Sequence, residues 1–72
     1  MKPYALADKN NGIFATFNTI AEAHEAYLYY VKEGIKADME YQEETGRTTE
    51  QIERDVKDFY MIIDTKSEIV LS

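Results

Sequence analysis

His24-Glu25 has the opening of the zinc-protease spelling His-Glu-x-x-His, in which two histidines one helical turn apart hold the metal and the glutamate serves as base. Leu28 stands where the second histidine belongs, and the chain has one histidine in total. The motif fails, and His24 is expected at the edge of a helix's apolar face. Carboxylates are the other chemistry-bearing groups. Asp38, Glu40, Glu43 and Glu44 are dense but lack the calcium-loop spacing with its central glycine. Paired carboxylates for glycoside-type acid–base work need a substrate cleft, and 72 residues leave little room for one. Gly12, Gly34 and Gly46 stand far apart, so no phosphate-binding loop or dinucleotide fingerprint forms, and no nucleophile elbow is present. Without cysteine there is no thiolate nucleophile, disulfide or Cys-based zinc site. The expectation is therefore a non-enzyme, with no catalytic residues, no metal and no cofactor.

Charge is the stronger signal. The net charge is −6. Residues 38–58 carry eight acids (Asp38, Glu40, Glu43, Glu44, Glu50, Glu53, Asp55, Asp58) against Arg47, Arg54 and Lys57, a net of −5. Direct nucleic-acid binding is disfavoured, because neutralising phosphates takes a basic stripe. A protein partner with a basic surface is favoured electrostatically. The opening "MKPYALADKN" has no apolar stretch of signal-peptide length, and "FYMII" is far too short to span a bilayer. With no cysteine either, a soluble cytoplasmic protein that avoids membranes is expected.

The tyrosines sort by helical position. Tyr27 and Tyr30 fall on the side expected to be buried. Tyr29 falls among Glu22, Glu25, Lys32 and Glu33, and Tyr41 lies in the acidic segment. Rigid aromatics ringed by charge suit recognition surfaces, since they offer contact area at low entropy cost. The candidate partner-binding residues are Tyr29, Tyr41, Glu40, Glu43, Glu44, Glu50 and Glu53.

The elements that must position these residues read as two hairpins around a helical middle. "YALAD", "KNNG" and "IFATF" form strand, turn and strand, because Asn and Gly tolerate positive φ while β-branched and aromatic residues suit strands. Ile13, Ala15 and Phe17 should point one way, Phe14 and Thr16 the other. "FYMIID", "TKS" and "EIVL" repeat the design, and the two hairpins share the spelling Tyr-x-x-x-Asp. Thr19 to Glu22 fits a capping box. Ile20, Ala23, His24, Tyr27, Leu28, Tyr30 and Val31 form the apolar side of the helix that follows. Gly34 offers a stop, and an unbroken helix would place Asp38 in the middle of that apolar side, so a break is expected there. A marginal helix follows from about Lys36 to Thr45, ending at Gly46. Thr48 to Gln51 is a second capping box, and it opens a helix with Ile52, Val56 and Phe59 on one face. The whole is one α+β domain, β-β-α-(α)-α-β-β, with a four-stranded antiparallel sheet and two or three helices on one face.

In size, acidity, and a hairpin followed by a helix beginning Thr-x-x-Glu-Ala (Thr19 to Ala23), the chain resembles the small accessory proteins of phages and prophages that inhibit host enzymes or defence systems. The resemblance implies a binding protein that occupies another macromolecule, and it transfers no functional residue. Within that class, inhibition or adaptor binding through tyrosines and charges competes with nucleic-acid mimicry by the carboxylates of 38–58. A second class is a small structural homodimer or oligomer, since a chain this short gains from added buried surface. A third is a small-molecule pocket between sheet and helix lined by His24, Tyr27 and Tyr30.

Overall fold

The computed structural model describes residues 2–71. The order is β1 (Tyr4–Asp8), β2 (Gly12–Phe17), α1 (Ile20–Met39), α2 (Gln42–Thr45), α3 (Thr49–Phe59), β3 (Tyr60–Asp64) and β4 (Ile69–Val70). The four strands form one antiparallel sheet in the order β2-β1-β3-β4. The expected α+β layout is the one observed. The two hairpins meet through their inner strands, with Leu6 opposite Ile62.

Both hairpins turn by the same device. The carboxylate of Asp8 accepts from the amides of Asn10 (2.9 Å) and Asn11 (2.7 Å). That of Asp64 accepts from Lys66 (2.9 Å) and Ser67 (3.4 Å). Four residues past each aspartate the backbone turns left-handed, at Gly12 (φ 74°) and at Glu68 (φ 60°). The second outer strand is shorter than its "EIVL" spelling because Glu68 belongs to the turn.

A β-bulge alters the facing of β2. The register slips between Leu6 and Ala7, where Phe14 becomes the extra residue. Ala15 and Phe17 face α1 as a pair, packed on Leu6 and Ile62. Phe14 joins that side and meets Tyr30 of α1, while Ile13 crosses to lie opposite Ala7 on the other face. The simple alternation expected from the sequence is thus corrected at Ile13 and Phe14.

The break expected at Gly34 does not occur, and α1 runs unbroken through it. At about 1.5 Å per residue, the 20 residues of α1 outreach the five-residue strands at about 3.3 Å each. The first half of α1 therefore covers the sheet and the second half meets α3. Two cores result: Leu6, Ala23 and Ile62 between sheet and α1, then Val31, Ile52 and Val56 between α1 and α3. Tyr27 and Tyr60 pack against both. The molecule is accordingly elongated, 42 × 18 × 17 Å. Gly34 lies where α1 and α3 approach. Asp38 does lie toward α3, but there it meets Arg47 rather than apolar side chains.

The inward stripe of α1 is narrower than expected: Ala23, Tyr27, Val31 and Ile35 point in, while Ile20, Leu28 and Tyr30 are exposed. Lys36–Met39 belongs to α1, so the marginal middle helix shrinks to the single turn α2, ended by Gly46 at φ 69° as its type predicts. Thr48 completes its capping box, its hydroxyl accepting from the Gln51 backbone amide and the Gln51 side-chain Oε1 accepting from the Thr48 backbone amide. Thr19 forms only half of its own: the hydroxyl accepts from the Glu22 amide (3.2 Å) but donates to the Glu22 carboxylate (3.1 Å).

Candidate functional site

All seven residues singled out for partner binding are exposed, but they do not form one site. Glu40, Tyr41, Glu43 and Glu44 cluster where α1 ends and α2 begins. Glu50 and Glu53 lie on the outer face of α3. There Arg54 and Lys57 stand four residues after Glu50 and Glu53, the spacing at which helical neighbours offset each other's charge. Among the described residues, the ion pairs are both made by Arg47, to Asp55 (2.7 Å) and Asp38 (3.5 Å). The excess negative charge is thereby concentrated at Glu40, Glu43 and Glu44, none of which is ion-paired.

Tyr29 belongs to a different surface. Its ring meets Tyr30 edge-on at 5.6 Å, and Tyr30 meets Phe14 at 5.1 Å and Tyr60 at 5.8 Å. Phe14 also meets Tyr60 at 6.2 Å, and Phe59 meets Tyr60 at 5.0 Å. Four of these pairs are edge-to-face and Tyr30–Tyr60 is tilted at 39°; edge-to-face pairs each contribute about 0.5–1.5 kcal/mol beyond area burial. Five of the nine aromatic residues thus form one chain of ring contacts, and its members Phe14, Tyr29 and Tyr30 reach solvent. Tyr30 was expected in the core. The bulge at Phe14 and the α3–β3 junction draw it outward instead.

Beside this patch an open groove of about 320 Å³ runs between α1 and α3, lined by Gly34, Asp38, Asp55, Val56, Phe59 and Tyr60. Gly34 shapes its wall by adding no side chain. Burial first, then the carboxylate of Asp8, the neighbouring Tyr30 and the carboxylate of Asp38, push the Tyr60 phenol above its ordinary value of 10.0. The ring therefore sits in negative potential. Tyr27 is also raised, by burial and then by Asp58. Its hydroxyl donates to the Lys57 carbonyl (3.2 Å), which satisfies an end carbonyl of α3 that no glycine cap serves.

The residues expected to line a pocket between sheet and helix, His24, Tyr27 and Tyr30, are not among those that line this groove. His24 is exposed, its ring stacked on Tyr27 at 6.3 Å, and Tyr30 faces outward. Among the described residues, no three side chains of metal-holding type come together, and no helix is long and apolar enough to cross a membrane. Sequence reasoning missed the groove and the parts played by Phe14, Phe59 and Tyr60. The one available signal was Gly34 inside an apolar periodicity that continues through Ile35.

No protein family, curated protein or solved structure matches the chain.

Proposed function

We propose that this chain is a non-enzymatic binding protein that acts through protein–protein contacts, covering a basic surface of its target in the manner of a phage-type inhibitor or adaptor in the cytoplasm. The observation that carries this reading is the set of exposed, unpaired carboxylates Glu40, Glu43 and Glu44 flanking the exposed Tyr41. Such an arrangement steers a basic partner over distance and gives it an aromatic to close on. The cysteine-free chain suits a reducing compartment. The nucleic-acid-mimic variant is less favoured, because Arg47, Arg54 and Lys57 interrupt the carboxylates of 38–58.

The test is affinity capture from the native host's lysate at low and then high salt. A single stoichiometric protein that leaves as salt rises, and that is no longer captured by Glu43→Gln/Glu44→Gln protein, supports the reading. Recovery of the chain alone as a salt-resistant oligomer overturns it.

Self-association is the second reading, favoured by the sheet face that α1 and α3 leave open. Ala5, Ala7, Ile13, Thr16, Met61, Ile63 and Val70 share that face by register. Strands of five, six, five and two residues, about 4.8 Å apart and at about 3.3 Å per residue, cover only about 300 Å². Two copies would bury about 600 Å², half of the roughly 1,200 Å² at which stable specific interfaces begin. The sheet face alone supports a weak pair, so heterologous binding is preferred.

A further inference from the structure

We infer that the groove between α1 and α3 is a subsite for a guanidinium group, the side chain of an arginine presented by a protein partner. The inference deepens the proposed binding function and rests on it for the source of the arginine.

The groove's lining divides by chemistry. Val56, Phe59 and Tyr60 supply an apolar, largely aromatic wall, and Asp38 and Asp55 supply carboxylates. A planar, weakly hydrated cation with an aliphatic stem matches both parts, because guanidinium stacks on aromatic faces while its fork of N–H groups engages carboxylates. The molecule already contains this recognition once. Arg47 spans the same two aspartates, bonding Asp55 at 2.7 Å and Asp38 at 3.5 Å. Two carboxylates and one guanidinium leave a charge of −1, and each carboxylate can accept further hydrogen bonds.

Size and charge disfavour large ligands and anions. A volume of about 320 Å³ is at the small end of the roughly 300–1,000 Å³ typical of ligand clefts. It suits a single side chain, and the carboxylates repel phosphates. The adjoining aromatic surface of Phe14, Tyr29 and Tyr30 extends the site beyond one residue, and aromatic residues are the usual anchors of a binding hot spot. Asp8, whose carboxylate acts on the Tyr60 phenol, adds negative potential from the β1 side.

The experiment is a ¹H–¹⁵N NMR titration of the full chain with N-acetyl-arginine amide, with the citrulline analogue as an uncharged control of matching shape. Saturable shifts at the amides of Gly34, Asp55 and Tyr60, in the millimolar range and absent with citrulline, are expected. Phe59→Leu, which removes an aromatic face from the groove wall but keeps it apolar, and Asp38→Asn should each weaken the arginine compound about fivefold, the scale of one cation–π or ion-pair contact. Arg47→Ala should strengthen it, because the internal competitor is gone. Equal shifts with citrulline, shifts confined to residues 40–44, or an affinity unchanged by Arg47→Ala would each overturn the subsite. The salt-released partner and its dependence on Glu43 and Glu44 are read separately, so the subsite can fail while the binding function stands.

Discussion

A methyl group placed on Gly34 would lie 2.8 Å from Cγ1 of Val56, closer than real Cβ contacts come. The two residues set the spacing of α1 and α3. Val56 is β-branched and stiff in a helix, so it cannot swing aside. Gly34→Ala gains about 1 kcal/mol of helix propensity and loses about 1–3 kcal/mol to overpacking, giving a net destabilisation of about 1 kcal/mol. In a Val56→Ala background the clash is removed, and the same substitution should stabilise. Urea unfolding of the four proteins measures the coupling, and additive effects would contradict this packing.

Arg47 ties the turn after α2 to both long helices. Exposed ion pairs contribute about 0.2–1 kcal/mol, so Arg47→Ala should lower stability by about that amount. The difference should vanish near 1 M salt, where the screening length is about 3 Å. Amides of residues 42–46 should exchange faster with solvent in the variant. An effect insensitive to salt would mean that Arg47 acts by packing its stem instead.

Glu68 adopts the left-handed backbone that glycine adopts in the matching turn. Left-handed geometry costs a side-chain-bearing residue about 1–2 kcal/mol, partly offset by the larger entropy that glycine loses on folding. Glu68→Gly should stabilise by about 0.5–1 kcal/mol. Gly12→Ala should destabilise by a similar amount, and for conformational reasons alone, since nothing lies within 4 Å of the added methyl. Thermal melts of both variants check the pair.

Asp8 and Tyr60 bias stability at opposite ends of the pH scale. The backbone amide of Asn11 chiefly, then that of Asn10 and the Asn11 side chain, hold the Asp8 carboxyl below its ordinary 3.8 despite partial desolvation. Its folded value is lower than its unfolded one, so its contribution is present above 3.8 and is lost as pH falls through the folded value. Asp8→Asn should flatten the acid limb of a circular-dichroism pH titration. Tyr60 is raised, so its contribution is present below 10.0 and is lost as pH climbs through the folded value. Phenolate absorbance should show a component titrating above 10.0 that Tyr27→Phe and Tyr60→Phe each diminish.

What could be read from the sequence was local. The Asn-Gly turn between the first two strands, the Thr48–Gln51 box and the Ile52–Val56 face depend on neighbours within a few residues, and all three are in place, although the first turn takes its positive φ at Gly12 and not at the asparagines. The same local rules misread Gly34, because a glycine in a helix signals a stop unless its packing partner, 22 residues away, is known. Leu28 and Ile20 have the right spacing for burial but are exposed, because the stripe of α1 that packs inward is only as wide as Ala23, Tyr27, Val31 and Ile35. The acidic segment was plain in the composition. Which of its carboxylates remain unpaired depended on where Arg47 reaches, and that is a tertiary fact. The groove draws on α1, α3 and β3 together, and no window of sequence contains it.

The central pair of the sheet joins residues 4–8 to residues 60–64. During synthesis β1 precedes all three helices, and its partner β3 appears only after them. Until then Leu6 and Ala23 lack Ile62, and the first hairpin has a bare inner edge where backbone groups await β3. Domains fold as units when their last essential segment arrives, and pairing between distant segments is slow. Folding of this chain therefore waits for β3. A nascent chain stalled before residue 60 would expose that edge to chaperones and to other copies of itself.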